Sequence, residues 1–178
     1  MTGTDVADVV AQVYRDAGSR LAAYGYVLTG SHHGAEELVQ AAVVKTFVKR
    51  RRLTDARAAE GYVRATMRTM HVDGIRRETT WRRLIPKIAP HETVEHAHEV
   101  DAHDDISRAL AQLPLRVRTA VALRYYDDLT VAEVAHQMGL SDGTVKKYLQ
   151  EGRERLAPLL GVGVDEPERL PVVERSKR

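Results

Sequence analysis

An all-α chain of two small helical domains joined by an acidic linker, the second of them a helix-turn-helix, is what the sequence predicts, on three observations. Apolar residues recur at three- and four-residue spacing wherever they are periodic, as in Leu38, Val39, Ala42, Val43, Thr46 and Phe47. The N-terminal half carries no alternation of strand and helix patterns. Charge is segregated: the net is +6 over residues 1–90, −6 over residues 91–105 and +2 over residues 106–178. Two basic blocks flanking an acidic one is the distribution expected of two nucleic-acid-facing modules on a linker, and the total of +2 conceals it.

The 178 residues are enough for one medium domain or two small ones. There is no cysteine, so disulfides and thiolate metal sites are excluded and packed apolar faces must supply the stability. No apolar stretch approaches the roughly 20 residues of a membrane span, and Asp5 and Asp8 interrupt what would be a leader. The expectation is a cytoplasmic protein without membrane insertion.

Three helices are expected first, making one domain over residues 1–85. Val6 to Leu28 is closed by the turn residues Gly30 and Ser31; a second helix runs from Gly34 to near Arg50. A third runs from about Arg57 to Thr80, with Val63, Met67 and Met70 on one stripe and Arg64 and Arg68 off it. Pro86 and Pro90 break the chain, and residues 86–104 read as a flexible acidic linker. Over residues 105–160, Ile106, Leu110 and Leu113 restart a helical period and Pro114 opens a helix through Tyr126. Thr130 starts the next with Glu133 placed to complete a capping box, and Ser141 caps the last. Residues 161–178 read as a frayed tail.

Thr130 to Leu156 is the most informative segment. Val131, Val134, Ala135 and Met138 give one short helix an apolar face; Val145, Leu149 and Leu156 give the next a matching one. Ala135 suits the close crossing and Gly139 the left-handed turn between them. That is a helix-turn-helix, and with Val145 and Leu149 inward, Thr144, Lys146, Lys147 and Tyr148 project from the end that enters a major groove. Ser141 belongs to the same surface, while Arg153 is placed for phosphates or solvent and Arg116 and Arg118, after Pro114, for phosphates.

The residues from Asp105 to Leu156, with Leu113-Pro114, Leu123-Arg124-Tyr125-Tyr126 and Gly143-Thr144-Val145-Lys146, resemble domain four of the extracytoplasmic-function (ECF) sigma factors of bacterial RNA polymerase. Leu28-Thr29-Gly30, Ala35-Glu36-Glu37-Leu38-Val39-Gln40 and Val72-Asp73-Gly74-Ile75-Arg76-Arg77 resemble successive parts of sigma domain two, in the family's order. The resemblance implies a non-enzymatic sigma factor without cofactors, partnered by core RNA polymerase (β′ clamp helices and β flap) and promoter DNA, with an anti-sigma factor as a candidate partner. It implies polymerase contacts at Glu36, Glu37, Leu38 and Gln40. It implies −10 element contacts at Arg51, Arg52 and Arg57, within a base-capturing loop from Arg51 to Glu60, and at Arg64, Arg68, His71, Arg76 and Arg77 along the opened strand. The chain departs from the family with Tyr62 for tryptophan, Thr69 for asparagine, Lys147 and Tyr148 where small and basic residues are usual, and Glu151 for arginine.

His91, His96, His98 and His103, interspersed with acids, invite a metal reading, but they form no helical i, i+4 pair and no zinc signature accompanies them. No nucleophile elbow or phosphate loop supports a hydrolase. The rival within DNA binding is a helix-turn-helix regulator acting on duplex DNA independently of polymerase, for which the basic N-terminal helix would be surplus.

Overall fold

The computed structural model describes residues 6–49, 53, 55–84 and 105–161, and these form seven helices with no strand among them. The linker at 86–104 with its histidines, the chain beyond Gly161, and Arg51 and Arg52 lie outside the described residues.

Helix α1 (Val6–Thr29) buries Val9, Val13, Ala17, Leu21, Tyr24 and Leu28, a stripe at spacings of three and four. It meets α2 (His32–Lys49), which turns Ala35, Val39, Ala42, Val43, Thr46 and Phe47 inward. Ser31 caps α2 by accepting from the Gly34 amide at 3.1 Å. Helix α3 (Ala56–Leu84) closes the triangle with Ala59, Val63, Met67, Val72 and Ile75. Asp55 caps it, accepting from the amides of Arg57 and Ala58 at 3.2 and 3.1 Å. Arg20 of α1 donates both arms of its fork to Glu60 of α3, at 3.0 and 2.7 Å. That hydrogen-bonded cation holds the Glu60 carboxyl below its ordinary pKa. The loop that the resemblance implies from Arg51 to Glu60 therefore ends before α3 begins at Ala56, close to the start near Arg57 that the helical period predicts. With Asp55 as cap, Arg57 to Glu60 already form the first turns of a helix.

The second group comprises α4 (Asp105–Ala111), α5 (Leu115–Tyr125), α6 (Val131–Met138) and α7 (Asp142–Leu160). Thr130 and Glu133 form the capping box at the start of α6, the Glu133 amide donating to Thr130 at 3.2 Å and the Thr130 amide to Glu133 at 2.7 Å. Gly139 ends α6 at φ +65°, a left-handed position that costs a β-carbon-bearing residue about 1 kcal/mol. Ser141 starts α7 by accepting from the Thr144 amide at 3.2 Å. Helices α5 and α7 approach closely enough that a Cβ on Gly152 would lie 2.6 Å from Val121 Cγ2.

The two groups are packed together. Helices α4 and α5 lie against α1, and α6 lies against α3. The buried apolar residues of both form one connected cluster, from Val9 through Met67 to Leu123 and Leu149. Burying a Leu, Met or Val is worth about 1.5–3 kcal/mol per side chain, so this cluster is the dominant stabilising term.

Candidate nucleic-acid interface

Helix α7 is oriented by Val145, Leu149 and Gly152, all buried, with Leu156 half-buried beyond them. This leaves Lys146, Lys147 and Arg153 exposed and Thr144 half-buried on the outward side. Tyr148 is also half-buried, its ring packed on the edge of the core. Ser141 and Thr144 hydroxyls lie 2.9 Å apart at the helix start, and Arg153 donates to Gln150 at 2.6 Å. Glu151 pairs with Arg155 one turn on at 2.9 Å. The result is a helix whose first turns offer two ammonium groups, a hydroxyl and an aromatic ring on a rigid two-helix support, which is the equipment for reading base edges in a major groove.

The bases expected to hold the −10 strand are arranged differently. Arg64, Arg68 and His71 form a stripe along α3, at spacings of four and three, that turns toward the C-terminal helices, with 39% of the Arg64 side chain and 26% of the Arg68 side chain still exposed. Arg64 Nε and Arg68 Nη1 lie 3.4 and 3.7 Å from Asp127 Oδ1. His71 Nε2 lies 2.9 Å from Thr119 Oγ1. Because Thr119 donates its own proton to the Leu115 carbonyl at 2.8 Å, the histidine is the donor, with its proton on Nε2. Burial, with the nearby Arg118 charge adding to it, pushes the His71 pKa down to about 4, so the ring is neutral at pH 7. Arg57, Arg76 and Arg77 are exposed.

Arg118 is corrected most. Expected on a phosphate, it is 6% exposed and its guanidinium donates to four carbonyl oxygens. These belong to Thr29 at 2.6 Å, Ala111 at 2.9 Å, Leu28 at 3.3 Å and Leu113 at 3.4 Å. Burial pushes its pKa down to about 10, which leaves it charged at neutral pH. The carbonyls ending α1 and α4 lack helical partners, and one planar cation satisfies both sets. Arg116 is half-buried and donates to Thr79 on α3 at 2.7 Å.

On α2, Glu36, Glu37 and Gln40 are exposed and Leu38 is half-buried. The same outer face carries Val44 and Val48, 64% and 63% exposed, which the sequence reading passed over. The signal was present: 37, 40, 44 and 48 follow helical spacing opposite the core stripe.

Residues 103–156 match the family described as Sigma-70, region 4, the segment that contains the helix-turn-helix. The chain is 30% identical over 143 residues to the ECF RNA polymerase sigma factor SigL of Mycobacterium tuberculosis, covering 77% of this chain and 80% of that one. It is 28% identical over 129 residues to the RNA polymerase sigma-E factor of Streptomyces coelicolor, covering 68% and 69%. In three dimensions it resembles the sigma factor RpoE of Bartonella quintana, solved in complex with the anti-sigma factor NepR. The TM-score is 0.51 at 22% identity, over 88% of this chain and 98% of that one. These matches define a bacterial transcription-initiation protein. The chain belongs to the extracytoplasmic-function family of RNA polymerase sigma factors. It acts as a sigma factor in transcription initiation. Among the described residues no helix is long and apolar enough to cross a membrane.

Proposed function

We propose that α1–α3 with residues 1–85 form the unit that recognises the −10 element and docks on polymerase, and that α4–α7 form the unit that reads the −35 element, with the acidic segment 86–104 joining them. The protein carries out no chemistry of its own and works in the cytoplasm with core RNA polymerase and promoter DNA. Its polymerase surface is Glu36, Glu37, Leu38 and Gln40 on α2, extended by Val44 and Val48, whose exposed side chains suit a partner's apolar surface. Arg51, Arg52, Arg57, Arg64, Arg68, Arg76 and Arg77 serve the opened −10 strand, whereas His71, expected among them, is a neutral buried ring that ties α3 to Thr119 of α5. Ser141, Thr144, Lys146, Lys147, Tyr148 and Arg153 serve the −35 duplex, with Arg116 on its backbone. An anti-sigma factor, as in the Bartonella complex, would be a further partner.

The observation that carries this reading is the outward face of α7, where Lys146, Lys147 and Tyr148 stand over buried Val145 and Leu149. The test is transcription by reconstituted holoenzyme from templates with randomised −35 sequences. Replacing Lys147 or Tyr148 by alanine should change the selected sequences, at about 1–3 kcal/mol per lost base contact. Unaltered preferences would place another face on the DNA. A regulator independent of polymerase would bind its site tightly without core enzyme.

A further inference from the structure

The burial of Val145, Leu149 and Gly152 fixes how α7 is rotated, and the side opposite them runs from Gly143 and Lys147 to Gln150, Glu151 and Glu154. Two adjacent acceptors on that side differ in what they are free to do. The Gln150 amide is engaged at both ends, donating from Nε2 to Glu154 at 2.6 Å and accepting at Oε1 from Arg153 at 2.6 Å. Glu151 accepts at Oε1 from Arg155 at 2.9 Å, and the pair stays accessible, with 38% of the Glu151 side chain and 52% of the Arg155 side chain exposed. An ionised carboxylate accepts through two oxygens, so one guanidinium arm on Oε1 orients the group while Oε2 can take a further donor. Glu151 lies about 6 Å beyond Lys147 along the axis, and so about one or two base pairs farther along a groove entered by the N-terminal end of α7. A carboxylate there is repelled by phosphates and lowers affinity unless a base edge supplies a donor. The major groove offers two, the amino groups at adenine N6 and cytosine N4. Adenine sets its N7 lone pair beside the amino group, against a carboxylate that can only accept, whereas cytosine sets a C–H there. Cytosine is therefore the base that a carboxylate suits.

We propose that Glu151, steadied by Arg155, is a specificity-determining residue that accepts a hydrogen bond from the N4 amino group of one cytosine in the −35 duplex. This rests on the reading of the outward face of α7 as the −35 surface, and it gives that face a named base. Glu151 acts chiefly by rejection. Opposite guanine or thymine the carboxylate loses water and faces acceptor atoms, and opposite adenine it faces a mixed edge, so only cytosine compensates the desolvation.

The experiment uses holoenzyme reconstituted from the full-length chain and core polymerase, transcribing templates randomised across the −35 element. The wild type should select a cytosine about one or two base pairs from the position whose preference changes in Lys147→Ala. Glu151→Ala should relax that cytosine preference about tenfold, the size of one hydrogen bond to a charged group, and leave the other positions as they are. Glu151→Gln should move the preference there from cytosine to adenine, because an amide accepts from N6 and donates to N7. A second measurement places N4-methylcytosine at the selected position. It still pairs with guanine but presents a methyl group in the groove in place of the N–H. Wild-type transcription should fall about tenfold on that template, while Glu151→Ala should not distinguish it from cytosine. If the Glu151 variants select the wild-type sequences while Lys147→Ala or Tyr148→Ala changes them, Glu151 is a solvated partner of Arg155 alone; the proposal is refuted and the −35 reading of α7 stands. A uniform change across all −35 sequences would show general repulsion of phosphate and refute it equally. So would N4-methylation that impairs wild type and Glu151→Ala alike, since another group would then read the cytosine. Wild-type preferences in all four variants would show that the −35 reading of α7 itself has failed.

Discussion

Replacing Arg118 by alanine probes the packing of the two helical groups most directly. The substitution removes a guanidinium that donates to carbonyls of Thr29 and Ala111 at 2.6 and 2.9 Å and, more weakly, to those of Leu28 and Leu113 at 3.3 and 3.4 Å. A hydrogen bond to a charged group is worth about 1.5–3 kcal/mol, so the two short bonds alone represent roughly 3–6 kcal/mol. Release from burying the cation offsets part of this, and water entering the vacated space offsets more, leaving about 2–4 kcal/mol of lost stability. Arg118→Lys keeps the charge but not the planar fork and should fall in between. Arg116→Ala, which gives up one bond at a half-buried site, should cost less than about 1 kcal/mol. Gly30→Ala should also destabilise, through its positive φ and the collision with the guanidinium, and its cost should shrink in the Arg118→Ala background because the collision is gone. The assay is urea unfolding followed by circular dichroism, with the hydrodynamic radius measured below the transition. Arg118→Ala should show an earlier midpoint, or a first transition in which the radius grows while helicity persists. A wild-type midpoint and radius would refute the placement of Arg118 as a bridge between the two groups.

Gly152→Ala should destabilise by about 1–3 kcal/mol through overpacking against Val121, and Val121→Ala in the same chain should restore part of the loss, read from urea midpoints of the single and double variants. For His71, the folded pKa of about 4 lies below the ordinary 6.5, so the unfolded chain binds the proton more readily. The stability from neutral His71 is complete above about pH 6.5 and is lost as pH falls toward 4, by about 2 kcal/mol at pH 5. His71→Gln should flatten that part of the pH profile of unfolding, and a parallel profile in the variant would contradict the burial of the ring. On α2, Val44→Asp with Val48→Asp should leave the unfolding free energy of the free chain, from urea titration, within about 0.5 kcal/mol of the wild type, because both side chains are exposed, while weakening capture by core polymerase. Full capture would remove that face from the polymerase surface.

Local physics made much of this legible in the sequence. The seven helices, the capping box of Thr130 and Glu133, the Ser141 cap and the left-handed Gly139 each depend on residues within a few positions of one another, so spacing and residue type decide them. The outward face of α7 follows likewise, because burying Val145 and Leu149 leaves Lys146 and Lys147 no other side. Tertiary packing alone decided that Arg64, Arg68, His71 and Arg118 would face protein. Tyr24 and Asp127 are separated by 103 positions, and Arg118 and Leu28 by 90. Contacts at that range leave no periodic trace. A helical wheel places an arginine off its own helix's core stripe, but whether that side meets water, DNA or a second helix depends on a surface contributed from elsewhere in the chain. An arginine is also long enough to be buried end-on at carbonyls while its position still reads as exterior. For the same reason Asp127 drew no notice as an acid in a turn: its role exists only where two arginines and a tyrosine are brought to it by the fold.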